Sequence, residues 1–220
     1  YLELTPDDMY KRLAKEFARI EEKYPNSISY EEIYNLLKEQ IILPGGSLLY
    51  GIGNNHSISS LGNCFVIGNE SDSYGGICTT DQEQAQLMKR RAGVGHDISH
   101  LRPTNSKVTN AAGASTGASS FMHRYSNTTR EVAQNGRRGA LMLTMDINHP
   151  DIEDFITAKD DLTKVTGANI SVKVDDLHMQ MYSESPNLLK WKKLVHQAWD
   201  NAEPGVLFWD TILRESPADC

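Results

Sequence analysis

Apolar positions recur at three- and four-residue spacing in two early stretches. Met9, Leu13, Phe17 and Ile20 follow Thr5-Pro6-Asp7-Asp8, which reads as an N-cap with proline at the first helical position. Ile33, Leu36, Leu37 and Ile41 follow the capping-box pattern Ser29-Tyr30-Glu31-Glu32, and Pro44-Gly45-Gly46 closes that segment. Residues 1–45 are therefore expected to form a small helical region, and residues 46–220 a larger α/β unit. Gly, Ser and Asn crowd the stretch from Gly45 to Ser60, which reads as loop or irregular strand.

Beyond it the pattern changes period. Cys64-Phe65-Val66-Ile67 is a short apolar run bounded by turn residues, as in a buried strand. A helix is predicted over 76–91, capped by Asp72 or Ser73 and ended by Gly93-Val94-Gly95, and a second over 116–134. Alternation over 140–146 predicts a strand, His149-Pro150-Asp151 starts a short helix, and residues 169–174 form another strand. Helices over 175–182 and 188–202 follow, the latter amphipathic through Trp191, Leu194, Val195 and Trp199. Strands alternating with helices argue for an α/β fold with largely parallel pairing. Ser216 to Cys220 adds no closing element and reads as a truncation.

Composition narrows the class. No run of about 18 apolar residues occurs, so a membrane-spanning helix is not expected, and the first residues have no secretory pattern. Cys64, Cys78 and Cys220 are odd in number and far apart, which argues against a disulfide scaffold and for a reducing, cytoplasmic setting. The net charge of −7 argues against a nucleic-acid binder. Yet residues 81–140 hold nine lysines and arginines against four acids, a +5 island in a chain whose remainder carries −12. Such an island suits a small anion, a nucleotide phosphate for instance, although solvated helix faces would give the same pattern.

Three places could carry chemistry. Cys64 opens an apolar strand after small residues and could be a redox thiol, although a buried, inert cysteine is the commoner fate. The basic loop Gln134-Asn135-Gly136-Arg137-Arg138-Gly139-Ala140 combines a free backbone with forked phosphate donors, but it lacks the Gly-Lys-Ser/Thr ending of a Walker loop. His96 and His100 have a spacing that can bind zinc on a helix. The flanking Gly93, Gly95 and Pro103 disfavour that helix, and no third ligand is nearby, so no metal is expected.

Taken in order, several segments resemble the large, catalytic chain of ribonucleotide reductases over nearly the whole length. They are Leu61-Gly62-Asn63-Cys64-Phe65-Val66-Ile67, Lys89-Arg90-Arg91-Ala92-Gly93-Val94-Gly95-His96-Asp97, Leu101-Arg102-Pro103, Ser120-Phe121-Met122 with Tyr125-Ser126-Asn127, and the basic loop leading to His149-Pro150-Asp151-Ile152. Asn169-Ile170-Ser171-Val172 and Ala202-Glu203-Pro204-Gly205 complete the series.

The resemblance implies a helical N-terminal region followed by the first half of a ten-stranded α/β barrel. The family's reaction replaces the ribose 2′-hydroxyl by hydrogen: a cysteine thiyl radical abstracts the 3′-hydrogen, and two further cysteines supply electrons and become a disulfide. Cys64 matches the first reductant cysteine. The radical cysteine and its Asn-x-Cys-x-Glu setting have no match here, so this stretch alone is expected to be inactive. Asp72, Ser73, Arg102, Lys107 and Gln134, Asn135, Gly136 and Arg137 match positions that bind a deoxynucleotide or ATP effector, with Thr109 where a second phosphate-binding arginine is expected. Ser47, Asn63 and Arg138 match substrate contacts. The family thus assigns the basic island mostly to effector rather than substrate.

The helices over 76–91 and 116–134 match a homodimer interface, expected to bury Met88, Phe121 or Met122. Thioredoxin or glutaredoxin is the implied reductant, with neither membrane nor nucleic acid as partner. The motif style resembles adenosylcobalamin-dependent members most, while members served by a dimetal-radical small subunit share similar segments. The alternative is a regulatory half-barrel that binds nucleotide without catalysis, and a zinc hydrolase using His96 and His100 is a third reading.

Overall fold

The computed structural model describes residues 3–68, 71–132, 139–185 and 188–217. The chain divides into two compact units, residues 1–63 with 90–92, and residues 64–89 with 93–220.

In the first unit, helix α1 (Pro6–Glu21) starts at a full capping box: the Asp8 amide donates to Thr5 Oγ1 at 3.3 Å and the Thr5 amide to Asp8 Oδ2 at 3.0 Å. Helix α2 (Tyr30–Lys38) starts where Ser29 Oγ accepts from the Glu32 amide at 3.2 Å. Leu13, Ala14, Ile33, Leu37 and Ile52 form this unit's core. The Gly/Ser-rich stretch departs from expectation. Gly46–Gly51 is a helix, α3, because Leu48 and Leu49 pack against that core and their burial outweighs the poor helix propensity of the glycines.

The second unit is a five-stranded sheet with every neighbouring pair parallel, in the order β1 (Cys64–Val66), β2 (Gly93–Asp97), β3 (Leu141–Asp146), β4 (Asn169–Val174), β5 (Gly205–Phe208). Helices α4 (Tyr74–Met88), α5 (Ala118–Glu131), α6 (Ile152–Ile156), α7 (Asp176–Glu184) and α8 (Leu189–Asn201) fill the connections, and α9 (Trp209–Glu215) follows β5. Strand order equal to chain order means that each right-handed crossover steps the same way, which lays the helices on one face of the sheet. The core bears this out. Val94, Leu141, Leu143, Met145, Ile170, Val172 and Val174 share one cluster with Ile77, Met88, Met122, Tyr125, Phe155 and Leu194 from the helices.

Two strands escape a local reading. Gly93–Asp97 is a central strand rather than the end of a helix. Glycine lacks the side chain that marks a strand, but pairing with β1 on one side and β3 on the other supplies what propensity does not. Gly205–Phe208 pairs with Ser171–Val174 as the fifth strand. Among the described residues, no helix is long and apolar enough to cross a membrane.

Candidate functional site

Neighbouring parallel strands deliver their following loops to the same edge of the sheet, where α/β proteins bind ligands. The loop after β1 carries Asp72 and Ser73, and the loop after β2 carries Arg102. They meet. Arg102 Nε donates to Asp72 Oδ2 at 2.6 Å, its backbone amide to Oδ1 at 3.2 Å, and Nη2 to the Asp72 carbonyl oxygen at 3.1 Å. Of the two predicted caps of α4, it is Ser73 whose hydroxyl accepts from the Gly76 amide, at 3.1 Å. A cavity of about 190 Å³ opens beside the ion pair, lined in part by Ser73, Thr109, Thr116 and Phe121. Tyr74 meets Phe121 edge-on, with ring centroids 6.1 Å apart. Asp72 and Arg102 are the only charged residues among the described lining.

The β2–α5 loop is pinned from the turn that leads into α6. His149 Nδ1 accepts the Asp151 amide at 3.0 Å, so its other nitrogen, Nε2, carries the proton and donates to the Leu101 carbonyl at 2.8 Å. The buried Asp151 carboxylate accepts the amides of Thr104, at 3.0 Å, and of Ala118, at 3.1 Å. Gly117 is required between them. Its φ is +85°, and a Cβ there would lie 2.0 Å from Thr104 Oγ1 and 2.5 Å from Asp151 Oδ2. Nothing in the spacing of the chain pointed to this strut. Asp151→Ala would strand the buried amide of Ala118 and the part-buried amide of Thr104, and is expected to lower unfolding free energy by about 2 kcal/mol, read from urea denaturation midpoints. An unchanged midpoint would remove the strut from the account.

The other face of the sheet is polar. By register, Cys64 pairs with Gly93 and falls in phase with Gly95 and Asp97 of β2, Met142 and Thr144 of β3, and Ser171 and Lys173 of β4. Cys64 is exposed and free, and it faces away from the helix-side core. Lys173, only 8% exposed, donates to Asp97 Oδ2 at 2.7 Å and lies 4.6 Å from the centroid of the Trp209 ring. Burial works against a charge on Asp97. Hydrogen bonds from Lys173, Ser99 and Thr144 nevertheless hold its carboxyl below the usual range. The sequence had singled out neither partner.

In the first unit, Ser47 and Asn63 come together: the Ser47 amide donates to Asn63 Oδ1 at 3.0 Å, and the buried Ser47 hydroxyl has no partner among the described residues. Lys107 is exposed and forms an isolated antiparallel bridge with Ala114, while Val108 and Thr109 line the cavity. Gln134, Asn135, Gly136, Arg137 and Arg138 lie outside the described residues.

One expectation is corrected. Met88 and Met122 are fully buried in the core, so they cannot meet a second subunit. Their helices turn them toward the sheet, and of the three expected interface residues only Phe121 keeps exposed surface. His96 lies on β2 rather than on a helix with His100. Its Nε2 stands 3.4 Å from Gln84 Oε1 and its ring packs edge-on to Tyr125, and no group of three metal-ligating side chains gathers among the described residues.

Known proteins resemble this chain in sequence and in fold. The family described as ribonucleotide reductase, barrel domain, matches residues 62–190. A vitamin B12-dependent ribonucleoside-diphosphate reductase of Mycobacterium tuberculosis is 30% identical across 96% of this chain and 33% of its own length. One from Thermoplasma acidophilum is 34% identical across 86% of this chain and 26% of its own. The chain thus spans a third or less of the curated relatives it matches. The fold is that of the class Id ribonucleotide reductase alpha subunit of Actinobacillus ureae, with a TM-score of 0.78 at 17% identity, over 96% of this chain and 38% of that one.

Proposed function

Because the chain belongs to the ribonucleotide reductase barrel family, we propose that it supplies the first half of a barrel in which a ribonucleotide is reduced to its 2′-deoxyribonucleotide. One observation carries the reading: the Cys64 thiol opens β1, exposed, on the sheet face turned away from the helix-side core. Cys64 acts as one of two reductant thiols. The 2′ C–O bond breaks and a C–H bond forms, water leaves, and the two thiols become a disulfide that thioredoxin or glutaredoxin reduces again. The second thiol and the radical cysteine come from outside this chain, so the 220 residues alone are catalytically silent.

The radical source this reading favours is adenosylcobalamin, in line with the vitamin B12 dependence in the names of the Mycobacterium and Thermoplasma relatives; a dimetal-radical subunit is the other. Cobalamin supplies a radical when bound. The described residues do not form a site for it. His96, the histidine on a strand, faces Gln84 and Tyr125 on the helix side, away from the sheet face that carries Cys64. Ser47, Asn63 and Arg138 contact substrate in this reading, and the Asp72–Arg102 cavity takes the effector with Ser73, Lys107 and the loop from Gln134 to Arg137. The outward faces of α4 and α5 pair two copies.

The direct test incubates the full-length protein with ribonucleotides and a thiol reductant, once with adenosylcobalamin and once with a dimetal-radical subunit. Deoxyribonucleotide in either arm, detected by mass spectrometry, is expected; none in both arms rejects the reading. Effector control gives a further prediction. Arg102→Ala weakens every deoxynucleotide effector alike, whereas Gln134→Ala changes which effector favours which substrate, a coupling of about 1–3 kcal/mol. A competition assay with all four substrates reads both, and preferences unchanged by Gln134→Ala would remove the loop's role.

A further inference from the structure

By itself α3 is a poor helix: six residues, glycine at both ends, and no side chain capping its first turn. Arg12 of α1 holds its far end. The guanidinium donates through Nη2 to the Leu49 carbonyl at 2.7 Å and through Nη1 to the Ile52 carbonyl. A helix leaves such carbonyls without partners where it ends, and a cation there also opposes the negative pole of the helix dipole. Glu3 sets the guanidinium in place: Oε1 accepts from Nε at 2.5 Å and Oε2 from Nη2 at 3.4 Å. Gly53 lets the chain turn away close by. Its φ is +68°, and a Cβ there would stand 3.0 Å from Arg12 Cγ.

The near end of α3 carries Ser47. Its amide is held by Asn63, while its hydroxyl is buried and has no partner among the described residues. A buried hydroxyl left in that state is costly, and a ligand group that completes it explains why the fold keeps it. We propose that Arg12 is a positioning residue: gripped by Glu3, it fixes the C-terminal end of α3 and thereby the place of the Ser47 hydroxyl that meets the substrate. This gives the N-terminal helix α1 a part in substrate binding, and it rests on reading Ser47 as a substrate contact. Glu3, Arg12, Ser47 and Asn63 all belong to the first unit, whereas the Asp72–Arg102 cavity belongs to the second.

Steady-state kinetics of the full-length protein, with ribonucleotide as the varied substrate and reductant and effector saturating, tests it. Ser47→Ala is expected to raise KM about tenfold, the scale of one hydrogen bond. Arg12→Ala is expected to do the same with kcat within about twofold of the parent, because a contact made equally in the ground and transition states moves KM alone. The two changes remove one contact, so the double variant should show no larger KM than either single one. Thermal melts establish which variants are folded at the assay temperature. Where Arg12→Ala is not, Arg12→Lys is read in its place. It keeps a cation near the carbonyls but loses the fork, and a KM raised about threefold is expected. An unchanged KM in the Arg12 variant, a loss confined to kcat, or effects that multiply in the double variant overturns the proposal. Ser47→Ala separates the two ideas: if it leaves KM unchanged, the reading of Ser47 as a substrate contact itself fails.

Discussion

Replacing Cys64 by serine in the full-length protein is expected to abolish multi-turnover reduction while leaving the fold and effector binding intact. The two side chains are close in size, and Cys64 is exposed on a short strand, so the exchange removes little packing. The chemistry differs completely. A thiol can give up its hydrogen and electron and close a disulfide, whereas a serine hydroxyl offers neither route at biological potentials. The loss should therefore be about a thousandfold or more, as for other residues that carry the reacting atom. Turnover would be measured under thioredoxin or dithiothreitol regeneration, with effector affinity measured in the same preparation. Normal multi-turnover rates in the variant would remove Cys64 from the reaction.

Acid sensitivity is the second large effect, and it comes from a histidine the chemistry does not use. His96 is 3% exposed between β2 and the α4–α5 pair. Gln84 donates through Nε2 to the Tyr125 carbonyl at 2.8 Å and to Thr129 Oγ1 at 3.0 Å, which leaves its Oε1 to face the His96 ring. Burial, helped by nearby His100, pushes the imidazole down to about 4 from an ordinary 6.5. Above pH 6.5 the ring is neutral in both the folded and the unfolded chain and contributes nothing to pH dependence. Between 6.5 and 4 the unfolded chain takes up a proton that the folded chain refuses, so stability falls as the pH falls. The full loss approaches about 3 kcal/mol near pH 4, at roughly 1.4 kcal/mol per pH unit. Denaturation midpoints of the parent and of His96→Gln, followed from pH 7.5 to 4, should diverge by that amount as the parent declines faster. Parallel curves would show that another group sets the acid response. The Asp97 carboxyl, held low by Lys173, loses its contribution only below its ordinary 3.8, outside this window.

The sequence by itself determined the elements whose signals are local. Thr5, Ser29, Ser73 and Asp175 cap helices because an oxygen three residues before an amide needs no distant partner. The strand at 169–174 stands where its apolar run predicts, and alternation of strands with helices was enough for a parallel α/β sheet. Cys64 at the head of β1 and the order of the family segments were legible in the same way. Tertiary structure decided what depends on segments that meet only after the chain has folded back. Gly93–Asp97 becomes a strand because two neighbours pair with it, and Gly46–Gly51 a helix because its half-buried leucines pack on the first unit's core. Asp72 finds Arg102 across 30 residues and Lys173 finds Asp97 across 76. Met88 and Met122, which helical spacing alone leaves free to face a partner, turn inward because the sheet lies on that side. Caps and periodicity act within a helical turn or a few residues of strand, whereas sheet order, ion pairs and the buried face of a helix are set by which segments the crossovers bring side by side.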